Sequence, residues 1–130
     1  MDDIKTKEDI TIFVDQFYNQ VQSDKLIGPI FLGKMPEGNW SKHLERMYSF
    51  WNTVLFGVVD YRGNPFSHHI YLGIEKPHFD RWIALFVKTI DDNFIGPKAT
   101  EAKDRAGKMR MMFESKLQAN KTNSKINPIL

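Results

Sequence analysis

His69 is the side chain in this sequence best placed to do chemistry. It lies in the stretch Asn64-Pro-Phe-Ser-His-His-Ile-Tyr-Leu72, after the turn Tyr61-Arg-Gly-Asn-Pro65 and before a second break at Gly73 to Pro77. Neutral imidazole is the commonest protein donor to a transition metal and the usual axial ligand of haem iron. A histidine pair in a loop is most often an ordinary solvated turn, and on these residues alone that reading stands beside ligation. His43 falls inside an apolar stripe, three residues after Trp40 and four before Met47. It either bonds a neighbour or water at the edge of that stripe, or places a polar group in an apolar pocket against a ligand. An imidazole buried there needs hydrogen-bond compensation. Tyr18 is a boundary tyrosine with its hydroxyl in water, or it overlooks a cavity. Trp82 belongs to an aromatic stripe and reads first as core, with an indole N–H that needs an acceptor if buried. His78 caps a helix or faces solvent.

Amphipathic helices must position these side chains. Thr6 can cap the first, with Glu8 and Asp9 in its first turn and a 3.6-residue stripe of Ile10, Phe13, Val14, Phe17, Tyr18 and Val21. Neighbours Phe17 and Tyr18 then point about 100° apart, so one can face the helical core while the other faces a cavity. Asp24 to Pro29 breaks this helix. The second pattern carries Trp40, Leu44, Met47, Phe50, Trp51, Val54, Leu55 and Val58, with Asn39 as N-cap, and spans Trp40 to Val58. Pro77 opens the third, whose stripe is Phe79, Trp82, Ile83, Phe86, Val87 and Ile90. Gly96-Pro97 separates it from a last helix with Ala99, Ala102, Ala106, Met109, Phe113 and Leu117, whose small residues let a neighbour approach closely. From Asn120 the chain is rich in Asn, Lys and Ser and reads as a mobile tail. The expected organisation is one domain over residues 1–119 and a polar tail over 120–130. No run alternates long enough to make a strand, so the fold class is all-α.

Composition narrows the function. The 130 residues suffice for one domain with a real core. Ten Phe, four Tyr and three Trp suit a core that lines a large flat apolar ligand, and also plain packing. A net charge of +2 with acids and bases interleaved offers no stripe for a phosphate backbone, which argues against nucleic acid. Zero cysteines exclude disulfides, thiolate haem ligation, iron–sulfur clusters and cysteine zinc sites. No apolar run approaches the roughly 18 residues of a membrane helix, and the acidic start Met-Asp-Asp-Ile-Lys has no signal-peptide core. The expected location is the cytoplasm.

In order along the chain stand Phe17-Tyr18, Gly28-Pro29-Ile30-Phe31, Trp40 with His43, Ser49-Phe50-Trp51, Tyr61-Arg-Gly-Asn-Pro65, His69 with Leu72 three later, and His78-Phe79-Asp80-Arg81-Trp82. With that order and spacing the sequence resembles the truncated haemoglobins, two-over-two helical globins, and specifically their third group. The resemblance covers about residues 8 to 118. The paired-glycine motifs that mark the other two groups are absent. The resemblance implies a two-over-two helical sandwich around haem b (iron protoporphyrin IX), with His69 as the proximal iron ligand. His69 is preferred to His68 because Leu72 stands at the family's three-residue offset. Tyr18, His43 and Trp82 match the polar residues of the distal pocket. Phe31 matches the aromatic packed on the porphyrin, and Met47, Phe50, Phe79 and Phe86 match its walls.

The function then expected is a monomeric haem protein that binds dioxygen, nitric oxide or carbon monoxide at a five-coordinate iron. A tyrosine O–H and an indole N–H suit a bound diatomic that carries partial negative charge. One alternative is nitric oxide dioxygenase or peroxidase-like turnover, which would need an external reductase because the chain has no flavin or nicotinamide motif. Another is a haem-free helical interaction domain in which His43 and His69 are ordinary polar residues.

Overall fold

The computed structural model describes residues 1–30, 40–59 and 75–126, with side chains up to residue 116. The expectations for Phe31, Asn39, His68, His69 and Leu72 lie outside the described residues. Among those described there are four long helices and no strand: α1 (Lys7–Ser23), α2 (Trp40–Phe56), α3 (Lys76–Asn93) and α4 (Pro97–Ile126). Helix α1 packs on both α2 and α3, α3 packs on α4, and α2 touches α4. Two helix pairs, α1 with α2 and α3 with α4, are thus joined through α1.

Helix α1 starts where its sequence says it should. The Thr6 hydroxyl accepts from the Asp9 N–H at 3.2 Å, and the Asp9 carboxylate accepts from the Thr6 N–H at 3.1 Å, a reciprocal capping box. All six residues of its stripe are buried. Phe13 and Phe86 centre the core, with rings 5.8 Å apart and edge to face. Phe86 also stacks on Trp51 at 5.1 Å.

Helix α2 stops at Phe56, two residues short of the expected Val58. Gly57 takes φ +69° and its N–H closes the last turn on the Thr53 carbonyl at 3.0 Å. Only glycine adopts that left-handed conformation without steric cost, so the helix ends there. Val58 and Val59 are left exposed. Lys98 reaches from α4 to donate to the Leu55 carbonyl, one of the acceptors left open at this helix end.

Helix α3 begins at Lys76, one residue before Pro77, with Glu75 as N-cap. The Glu75 N–H donates to His78 Nδ1 at 2.9 Å, so His78 helps to cap this helix. Helix α4 is capped from the other end of the chain. The Asp3 carboxylate accepts the N–H groups of Lys98 at 2.9 Å and Ala99 at 2.8 Å, while Ile4 beside it is buried. Gly96, at φ +141°, leaves room for this approach, because a Cβ there would lie 2.5 Å from the Asp3 carboxyl carbon. Ala99, Ala102 and Ala106 are buried, as expected of a face that a neighbouring helix approaches closely. The helix runs past Asn120 to Ile126, beyond the point where the polar composition suggested a tail. Among the described residues no helix is long and apolar enough to cross a membrane.

Asp24 ties three parts of this frame together. Its carboxylate accepts the N–H groups of Leu26 and Ile27, each at 3.0 Å, and the Arg81 Nε of α3 at 2.6 Å. Burial by itself would raise the Asp24 pKa, but the Ile27 N–H, the Arg81 guanidinium and the Leu26 N–H hold it below the ordinary carboxylate value. A carboxyl with a depressed folded-state pKa stabilises the fold above its unfolded value. That contribution is lost as pH falls through the folded value, here below about pH 4. Asp24→Ala should therefore cost about 1–2 kcal/mol at neutral pH. Urea unfolding of both proteins at pH 7 and pH 3 checks this: the gap should narrow in acid, and a pH-independent gap would mean that packing alone is lost.

Candidate functional site

The chemistry-bearing side chains converge where the later part of α1 meets the first turns of α2 and α3. Adjacent rings on α1 face different neighbours, as the helical angle between them requires. Phe17 meets α3, with its ring 5.8 Å from Trp82 and 5.3 Å from Phe86. Tyr18 meets α2, with its ring 4.9 Å from His43 at an interplanar angle of 86° and 5.8 Å from Trp40. Trp40 and His43, three residues apart on one helix face, stand 5.7 Å apart and edge to face.

Tyr18 is 5% exposed and His43 3%, so both polar rings are inside the protein. Burial raises the Tyr18 pKa well above the ordinary phenol value. At neutral pH its hydroxyl is therefore protonated and available as a donor. Trp40 Nε1 is also shielded from solvent, and it has no hydrogen-bond partner among the described residues. Buried donors nearly always find partners. The structure thus gathers a phenol, an imidazole and an indole N–H in one apolar corner.

The remaining expected site residues take different places. Trp82 is partly buried and stacks on Phe86 at 6.1 Å, so it joins Tyr18 through Phe17. Phe86, 1% exposed, lies among the rings of Phe13, Phe17, Trp51 and Trp82. Met47 and Phe79 are buried in the same core, whereas Phe50 is partly buried and packs its ring edge to face with Trp51 at 5.4 Å. Phe31 and His69 lie outside the described residues. The sequence alone gives Trp40 no site role. Its three-residue offset from His43 was the available signal, since that spacing puts both on one helix face.

A helical core of this topology, with aromatic rings enclosing a few buried polar groups between α1, α2 and α3, defines a small globin. The bacterial-like globin family model matches residues 1–119, and the chain belongs to that family. Over 89 residues it is 33% identical to the group 3 truncated hemoglobin ctb of Campylobacter jejuni, a match covering 65% of this chain and 69% of that protein. It is 29% identical over 80 residues to the group 1 truncated hemoglobin GlbN of Nostoc sp., covering 61% and 64% of the two chains. The crystal structure of the group III truncated hemoglobin from Campylobacter jejuni matches with a TM-score of 0.80 and 26% identity, over 90% of this chain and 95% of the other. The resemblance to truncated haemoglobins, and to their third group, is borne out, as is the all-α globin fold.

Proposed function

We propose that this globin binds haem b and holds a diatomic gas on the face lined by Tyr18, His43 and Trp82. The observation that carries the reading is the buried, protonated Tyr18 phenol set 4.9 Å from the His43 ring within an aromatic shell. The residues fit the group: a porphyrin needs flat apolar walls, and a polarised diatomic needs donors that do not ionise at neutral pH. Haem, when bound, supplies an iron centre with one position open to a small gas. His69 is assigned as its proximal ligand by sequence correspondence. Tyr18 donates its O–H to the ligand, and Trp82 supplies a second donor from α3. Met47 and the rings of Phe50, Phe79 and Phe86 exclude water, which strengthens each of these hydrogen bonds, and Phe31 is assigned to the porphyrin by sequence correspondence alone.

His43 stands at the first turn of α2, between Tyr18 and Trp40, and acts as a gate to this face. His43→Leu should change gas entry rates and leave haem content unchanged. Flash photolysis of the carbon monoxide form measures the first and the haem-to-protein ratio the second. If the ferrous wild type instead shows a bis-histidine spectrum that disappears in the variant, His43 is an iron ligand and not a gate. The function itself is tested by the visible spectrum of the haem-loaded ferrous chain with and without carbon monoxide. A five-coordinate spectrum that converts fully to a six-coordinate one on adding gas is the expected result. A ferrous spectrum that gas does not alter would refute it.

A further inference from the structure

We infer that the Trp40 indole N–H is a hydrogen-bond donor reserved for an oxygen acceptor that arrives with the bound haem, an inference that rests on the haem-binding reading above. Two observations meet at this atom. Trp40 Nε1 is shielded from solvent and makes no hydrogen bond among the described residues. Its ring is held edge-on by two polar aromatics, Tyr18 at 5.8 Å and His43 at 5.7 Å, so it sits in the proposed ligand-facing corner and not in a separate part of the core.

An indole N–H can only donate and does not titrate. Whatever satisfies it must bring a lone pair. The unmet donor is destabilising in the empty chain, and it becomes favourable once an acceptor enters. Two sources share the required chemistry. One is a carboxylate of the porphyrin; the other is the diatomic ligand, or a water in its place. Either makes Trp40 a binding residue on the same helix face as His43.

The test uses Trp40→Phe in the full chain, which removes the N–H and keeps an aromatic ring. If the acceptor is the diatomic, the C–O stretch of the ferrous carbon monoxide form should move to higher frequency in the variant. If the acceptor is the carboxylate, the variant should bind haem about 10-fold or more weakly, while binding of the haem dimethyl ester should change little. Should the variant not fold, indole N–H hydrogen exchange in wild-type chain labelled with ¹⁵N-tryptophan gives the answer, with Trp40 exchange slowed once haem and carbon monoxide are bound. The inference is overturned if neither the stretch nor the haem affinity changes. Trp40 exchange that is the same with and without haem would overturn it too.

Discussion

Replacing His69 with alanine should yield a folded chain that no longer holds stoichiometric haem. An axial imidazole is the only covalent tie between a b-type haem and a globin chain, and this sequence has no thiolate to replace it. The described packing of α1 on α3 and of α3 on α4 supplies a core of its own, so the helical content should survive. His68→Ala and His78→Ala are the controls. His78 has its own task, since its Nδ1 accepts the Glu75 N–H at 2.9 Å at the start of α3. Losing it should weaken a helix end and leave haem in place. The measurement is the haem-to-protein ratio after gel filtration, together with the ferrous spectrum. A His69→Ala protein with full haem and an unchanged spectrum would move the ligand elsewhere.

Tyr18→Phe should accelerate dioxygen release by roughly 10- to 100-fold. A hydrogen bond to a charge-bearing acceptor in a dry pocket is worth about 1.5–3 kcal/mol, and about 1.4 kcal/mol is a tenfold change in rate. The substitution deletes the hydroxyl alone. The ring keeps its contacts with Phe17, Trp40 and His43, and the residue is too buried for water to take the hydroxyl's place freely. Bound carbon monoxide is much less polar, so its release should change less. Stopped-flow displacement of each gas supplies the comparison. Equal acceleration of both would indicate a wider path through the pocket and no specific hydrogen bond. Trp82→Phe is a less clean test, because Trp82 also packs against Phe17 and Phe86, and its effect would mix a lost donor with a cavity.

The helical stripes were legible because burial repeats with the turn. Every member of the α1 stripe from Ile10 to Val21 is buried, and Thr6 caps it as its position before Glu8 and Asp9 suggests. The early end of α2 had a visible cause in Gly57, but flanking apolar residues masked it. The acidic N-terminus offers no periodicity from which a structural role could be read. Asp3 in fact caps α4 across more than ninety residues, a pairing to which local periodicity is blind. The bond between Asp24 and Arg81, 57 residues apart, was hidden for the same reason. Of the residues that suggested a tail after Asn120, Asn and Ser are weak helix formers without being breakers, Lys is a good one, and no proline intervenes before Pro128. Within the candidate site, Tyr18 and His43 were readable from polar groups placed on apolar stripes. Trp40 was not, because its distinguishing feature is the fate of one nitrogen, which tertiary packing decides.

Titration of haemin into the purified haem-free chain tests haem binding most directly. Three tryptophans, Trp40, Trp51 and Trp82, lie in or beside the aromatic shell proposed to face the porphyrin, close enough for a bound haem to quench their emission. Quenching should break sharply at one haem per chain, with a Soret band distinct from that of free haemin developing to the same end point. A shallow fluorescence decline without a break, accompanied by the spectrum of free haemin, would contradict the haem-protein reading and leave a helical domain whose polar aromatic corner serves another purpose.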